Sequence, residues 1–146
     1  MRMSAVAITQ FVNAVHRRDV VALWTETFGY DAAHNRPDLV IDMKVAVHDD
    51  LFFVALVDNE VVGTIMAGYD GHRGWIYSLA VSPSCRRRGI GSELVAHAER
   101  ALIGMGCVKI NLQILEKNKS VMKFYTKLGY AEEKRISMGK RFEIKQ

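Results

Sequence analysis

Cysteine and proline are scarce in this chain, two of each among 146 residues, and no apolar run approaches the length of a membrane span. A bilayer-crossing helix needs about 20 consecutive apolar residues, so no membrane partner is expected. Cys85 and Cys107 lack metal-ligand spacing, and two such thiols make neither a disulfide framework nor a zinc site. They are expected to be free. The stretch "MRMSAVAITQFV" carries positive charge, but Thr9 and Gln10 interrupt its apolar residues, unlike the unbroken core of a secretory signal; the expected location is the cytoplasm. Repeats, low-complexity tracts and Pro/Ser-rich linkers are also missing, which predicts a single domain over 1–146. His16, His34, His48 and His97 show no ligand grouping; they are expected at the surface, with no metal site.

What is present has the balance of an ordinary globular domain. Hydrophobic residues make up 49% and charged residues 25%, enough apolar material for a core and too little charge for a disordered chain. The net charge of +4 is small, and its distribution is more informative than its size. Arg86, Arg87 and Arg88 are contiguous, whereas Lys119, Lys123 and Lys127 recur every four residues and line one exposed helix face.

The periodicities predict a mixed α/β domain. A short strand is expected over 5–11, then a helix after Asp19 carrying Val20, Leu23, Trp24 and Phe28 and stopped by Gly29. Pro37 opens a second helix through about Val47, since a first-turn proline sacrifices no helical hydrogen bond. "LFFVALV" and "VVGTIMAGY" flank Asp58, Asn59 and Glu60 as a hairpin, and "WIYSLAV" follows the loop "DGHRG". Pro83 ends that strand. A helix from about Gly89 to Met105 puts Ile90, Leu94, Val95, Ala98, Leu102 and Met105 on one face, with Gly106 as its stop. "KINLQI" is the next strand; the following helix bears Val121, Phe124, Tyr125 and Leu128 and closes at Gly129, and residues 130–144 supply one or two more strands.

The segment "CRRRGIG" concentrates charge and bare backbone at a helix mouth. The first N–H groups of a helix have no intrahelical partner and carry partial positive charge, which favours an anion. Glycine lets backbone approach a phosphate closely, and arginine adds a permanently charged fork of donors. Two familiar cradles are excluded, because there is no G-x-x-x-x-G-K-[ST] and "GIGSEL" lacks the third glycine of a dinucleotide fingerprint. What stands here is R-x-x-G-x-G, Arg86 to Gly91, for which a solvated basic loop is the competing reading. Nucleic-acid binding is not expected, since no aromatic platforms interleave the three arginines.

Taken with "WIYSLAV" before it, Pro83 after that strand and "NKSVMKFYTKLGY" downstream, the chain resembles the GCN5-related N-acetyltransferases over nearly its whole length. The segments "VVGTIMAGYDGHRGWIYSLAV" and "SMGKR" are similar to a small bacterial subgroup with a GYDGHRGW loop. The resemblance implies an acyl-CoA N-acyltransferase fold: a splayed mixed sheet of about six to seven strands with about four helices. It also implies acetyl-CoA as co-substrate, wedged between the strands at 75–81 and 109–114. Leu79, Ala80 and Val81 would then face the pantetheine arm, with the backbone of Leu79 and Val81 pairing with its amides. Arg86, Arg87, Arg88, Gly89, Ile90, Gly91 and Ser92 would hold the diphosphate, and Asn118 would touch the cofactor.

The reaction implied is acetyl transfer to a primary amine of a small molecule or peptide by direct attack. It needs an oxyanion donor, for which the resemblance offers a backbone N–H near Leu79, and an acid for the departing thiolate. Tyr125 suits the acid, since a phenol is protonated at neutral pH and a thiol's pKa is about 8.5; packing beside Phe124 is its structural alternative. The base is open among Asp70, His72, Tyr77 and Glu116, with a simple turn role standing beside the catalytic one for Asp70 and an exposed loop role for His72. Gln113 occupies a position where relatives that acetylate protein N-termini carry glutamate, which puts that substrate class in doubt. Asn118 also suits an N-cap for the last helix. The acceptor groove is implied at 28–42, with Tyr30, His34, Asn35 and Arg36. A homodimer is compatible with the family. A non-catalytic acyl-CoA sensor is the alternative function, against which Asn118 and Tyr125 both argue.

Overall fold

A computed structural model describes residues 5–29 and 35–143. The chain divides into two compact units, 1–112 and 113–146. The first holds β1 (Ala7–Gln10), α1 (Asn13–Phe28), α2 (Pro37–Val47), β2 (Phe52–Val57), β3 (Glu60–Tyr69), β4 (Gly74–Val81), α3 (Ile90–Gly104) and β5 (Ile110–Asn111). The second holds a 3-10 turn, Glu116–Asn118, and α4 (Val121–Lys127).

The sheet runs β1-β2-β3-β4-β5. The first three pairings are antiparallel, and the crossover through α3 brings β5 parallel to β4. The β2–β3 hairpin turns on Asp58 and Asn59, both left-handed (φ 51 and 65), the conformation a two-residue turn needs to match the strand twist. Alternation along the strands gives the sheet two faces. Phe52, Val54 and Met66 pack with Val20, Leu23 and Trp24 of α1 and Ile41 of α2. On the opposite face, α3 contributes Ile90, Leu94, Val95, Ala98 and Leu102, all buried.

Several boundaries differ from the sequence expectation. The first helix begins at Asn13, ahead of Asp19, because His16 reaches back: its Nδ1 accepts the Val12 N–H at 2.9 Å. This satisfies a backbone donor at the helix start and buries His16, which was expected at the surface. His97 is half-buried against the Phe53 ring, centroids 4.5 Å apart. Phe28 and Met105, both expected on apolar stripes, are half-exposed, Met105 because α3 ends at Gly104 before it. The sheet has five strands among the described residues, fewer than the six or seven expected. Residues 131–143 form no ladder, and their apolar members Ile136, Met138 and Phe142 lie exposed; alternation without a hydrogen-bonded neighbour does not make a strand.

One close approach sets α3 on the sheet. A β-carbon on Gly63 of β3 would sit 2.9 Å from Leu94 Cδ1 and 3.1 Å from the Ala80 carbonyl oxygen. The Ala80 oxygen is backbone of β4 and cannot move aside, and Leu94 of α3 lies directly over the bare position, so a side chain at 63 would press on both β4 and the helix. Gly63→Ala is expected to lower the unfolding free energy by about 1–3 kcal/mol, as overpacking does. A urea titration with an unchanged midpoint would remove this account of how α3 is seated.

Candidate active site

The β3–β4 ladder slips in register between Thr64 and Met66: Thr64 pairs with Ala80 and Met66 with Tyr77. Ser78 and Leu79 therefore share the space opposite Ile65, a bulge on β4, and Ser78 takes a left-handed φ of 54. A bulge interrupts the ladder and re-aims the strand. Beneath it lies a buried polar pair. Trp24 Nε1 donates to Thr64 Oγ1 at 2.8 Å, and the Thr64 hydroxyl donates to the Ser78 carbonyl at 2.9 Å. Thr64 is 0% exposed and Trp24 2%. The sequence reading placed Trp24 in the core and passed over Thr64; the available signal was a lone hydroxyl within the apolar run "VVGTIMAG".

On its other side β4 loses its neighbour early. Only Gly74 and Trp75 pair with β5, so from Ile76 to Val81 no strand of the described residues pairs with that edge. Leu79 and Val81 are half-buried and Ala80 is buried. The chain then turns through a 3-10 turn at Pro83–Cys85 into the arginine run. Arg87 is left-handed (φ 66), and so is Gly89 (φ 77), the residue before α3. No side chain caps α3, leaving its first-turn N–H groups to water or a ligand. A β-carbon at Gly89 would meet nothing within 4 Å. The backbone is thus bare and approachable at the helix mouth. Arg86 and Arg87 are exposed, while Arg88 lies half-buried beside the Cys85 sulfur. Ile90 is buried and anchors the turn; Gly91 and Ser92 are half-buried. The expected cradle residues are together at one end of β4.

The other candidates are spread out. Asp70 and His72 occupy the turn between β3 and β4. Asp70 Oδ1 accepts the His72 and Arg73 N–H groups, each at 2.7 Å, and these bonds, that from Arg73 foremost, hold its carboxyl below the ordinary range. That is the turn-shaping role. His72 Nε2 lies 2.9 Å from Arg73 Nη1; guanidinium only donates, so the imidazole lone pair is engaged there. From this turn to Leu79 is five residues of β4, about 3.3 Å each. Tyr77 is nearer, immediately before Ser78, and is 42% exposed. The ammonium of Lys44 sits 5.6 Å from the centre of its ring. Lys44 is itself buried, paired with Asp49 at 2.8 Å and donating to the Ala67 carbonyl.

In the second unit, Tyr125 is buried, its ring edge-on to those of Phe124 and Tyr130 with centroids 5.0 and 5.7 Å apart. Burial pushes its phenol up to about 12. Glu116 and Asn118 are exposed. Asn118 does not cap α4: the residue before that helix is Ser120, without a side-chain capping bond, while the Asn118 N–H closes the 3-10 turn on the Leu115 carbonyl at 2.8 Å. Gln113 Nε2 donates to Ser137 Oγ at 2.6 Å. Asn35 and Arg36 of the expected acceptor region precede α2; Tyr30 and His34 lie outside the described residues. Cys85 and Cys107 are both free and buried. Among the described residues no cluster of His, Cys, Asp or Glu is arranged to hold a metal ion, and no helix is long and apolar enough to cross a membrane.

Residues 17–130, which include β4, the arginine turn and α4, match the model of the acetyltransferase (GNAT) family. The chain belongs to that family. A curated relative, Acetyltransferase ECA0875 of Pectobacterium atrosepticum, is 43% identical over 122 residues, spanning 84% of this chain and 86% of its own. Solved structures of similar fold include the aminoglycoside N-acetyltransferase AAC(6')-Iy in complex with CoA. It has a TM-score of 0.77 at 21% identity, covering 96% of this chain and 97% of that one. Glucosamine-6-phosphate N-acetyltransferase from Arabidopsis thaliana gives a TM-score of 0.69 at 20% identity, covering 95% and 99%. GNAT membership carries the reaction class: this is an acetyl-CoA-dependent N-acetyltransferase.

The raised phenol gives a direct test. One of the five tyrosines is expected to ionise near pH 12 in ultraviolet titration, and to vanish from the titration in Tyr125→Phe. Its folded pKa lies above the ordinary 10.0, so the burial contribution to stability is intact below pH 10 and is lost as pH rises toward 12. Ionisation of all five near pH 10 would contradict a buried Tyr125.

Proposed function

We propose that this GNAT protein transfers the acetyl group of acetyl-CoA to a primary amine of a small molecule by direct attack, with Tyr125 as general acid. The observation that carries this reading is the conjunction, at one end of β4, of an unpaired strand edge, a bulge, and an uncapped helix mouth fronted by three arginines. The edge suits the two amides of a pantetheine arm, which complete a ladder as another strand would. Arg86 to Ser92 suit the diphosphate: Gly89 and Gly91 give backbone access, the first turn of α3 supplies N–H groups, and the arginines add fixed charge. The solved aminoglycoside enzyme of similar fold was crystallised with CoA and with a bisubstrate analogue built on acetylneamine. Its small amine acceptor supports the choice of acceptor class here.

In the proposed mechanism the neutral amine attacks the thioester carbonyl, forming the C–N bond. The Leu79 N–H steadies the oxyanion, the C–S bond breaks, and the thiolate takes the proton of Tyr125. A phenol with a pKa pushed up to about 12 remains protonated throughout the neutral range. The amine's surplus proton leaves to water, relayed by the Tyr77 hydroxyl, Tyr77 being the base candidate nearest the bulge along β4, and a proton from solvent returns the Tyr125 phenolate to the phenol. His72 and Glu116 are the competing routes. Asn118 is retained as a cofactor contact in this reading.

Two outcomes follow. Calorimetry is expected to show CoA binding that Gly89→Ala weakens at least about tenfold, while the variant loses only about 1 kcal/mol of stability from its left-handed backbone. Tyr125→Phe is expected to reduce kcat by about 10²- to 10⁴-fold, the range of a positioned acid, with CoA affinity within about twofold of the parent. Thiol release on a panel of primary amines measures this, and an unaltered kcat would take Tyr125 out of the mechanism. Tight acetyl-CoA binding with no turnover on that panel would instead favour an acyl-CoA sensor.

A further inference from the structure

The Leu79 N–H can serve an oxyanion only if its peptide is held at a fixed orientation. The Ser78 carbonyl and the Leu79 N–H belong to one planar trans peptide. In a trans peptide the two point in opposite directions, so whatever holds the oxygen also aims the hydrogen. Thr64 Oγ1 holds that oxygen at 2.9 Å. The polarity of the chain is fixed by chemistry: an indole N–H only donates, so Thr64 accepts from Trp24 at 2.8 Å, and its single hydroxyl proton is left for Ser78. Thr64 lies on β3, so the Leu79 N–H is turned away from the Thr64 hydroxyl and β3, toward the side on which no strand of the described residues pairs with this part of β4.

We infer that Thr64, oriented by Trp24, is a positioning residue for acetyl transfer: its hydroxyl locks the Ser78–Leu79 peptide with the N–H facing the thioester carbonyl. This rests on the proposed function. It also accounts for a costly arrangement, since a left-handed serine and a fully buried threonine hydroxyl both persist within the sheet, and a buried hydroxyl is tolerated only when its hydrogen bonds are made. A valine would fill the same space and leave both the Ser78 oxygen and the Trp24 N–H without this partner.

The test uses the full chain with acetyl-CoA carrying a ¹³C-labelled thioester carbonyl. Isotope-edited infrared difference spectra read the hydrogen bond to that carbonyl, and calorimetry reads affinity. In the parent protein the bound band is expected below its frequency in water-free solvent. In Thr64→Val, and in Thr64→Ala should valine prevent folding, the band is expected to move back up. In the same variants kcat should fall on the order of 10- to 100-fold, less than deleting a donor outright, with acetyl-CoA affinity within about twofold. Thr64→Ser, which restores the hydroxyl without the methyl group, is expected to recover the shifted band. A hydroxyl-less variant that folds, binds acetyl-CoA normally and keeps the parental band overturns the inference while leaving the proposed function standing. Failure of the parent protein to bind acetyl-CoA at all overturns both.

Discussion

A strand that loses its neighbour part-way along leaves a row of N–H and C=O groups that water, a side chain or another chain must satisfy, and among the described residues β4 does so after Trp75, the Val81 carbonyl accepting from Arg86 Nε at 3.4 Å. The place proposed for the pantetheine arm follows from that edge. Proteins usually blunt such edges with proline, charge or a covering element. Here the edge runs directly into the turn that opens α3, and the three arginines follow it at once. The geometry suits an extended, amide-bearing ligand that ends in an anion, a description that acetyl-CoA meets.

Holding this edge in shape costs local strain, and the strain is concentrated. Ser78 and Arg87 are left-handed without being glycine, each at a cost on the order of 1–3 kcal/mol. Ser78 borders the region proposed for the cofactor, and Arg87 lies within it. The compensation lies on the two faces of the sheet. On one, α1 delivers Trp24 to Thr64; on the other, α3 rests against the bare backbone of Gly63. The two helices therefore grip β3 from opposite sides at adjacent residues, and β4 is shaped through β3.

Much of the fold was legible in the sequence because it rests on local rules. Pro37 marks the start of α2, Asp58 and Asn59 mark the hairpin turn, and the apolar stripe from Ile90 to Leu102 marks α3. What escaped depends on contacts remote in sequence or on a partner. The start of α1 is set by His16 bonding backward to Val12, a pattern outside the common capping residues. The bulge needs three elements at once, and Thr64 reads as an ordinary strand residue until Trp24 and Ser78 are seen on either side of it. The expected strands beyond Tyr130 and the expected Asn118 cap share another cause: a residue type that suits a role does not fill it without the right neighbour. The arginine and glycine turn was the most legible part of the site, since its chemistry is carried by consecutive residues. The acceptor groove was the least, its signals lying in the weakly patterned region around Asn35 and Arg36.

The two cysteines have a practical consequence. Cys85 is 8% exposed and Cys107 5%, and both are free thiols. A chromogenic disulfide reagent added to the native enzyme therefore reports liberated coenzyme over a low background. The same reagent registers two further equivalents only when the polypeptide opens, so a single optical trace counts turnovers and detects denaturation in the same cuvette.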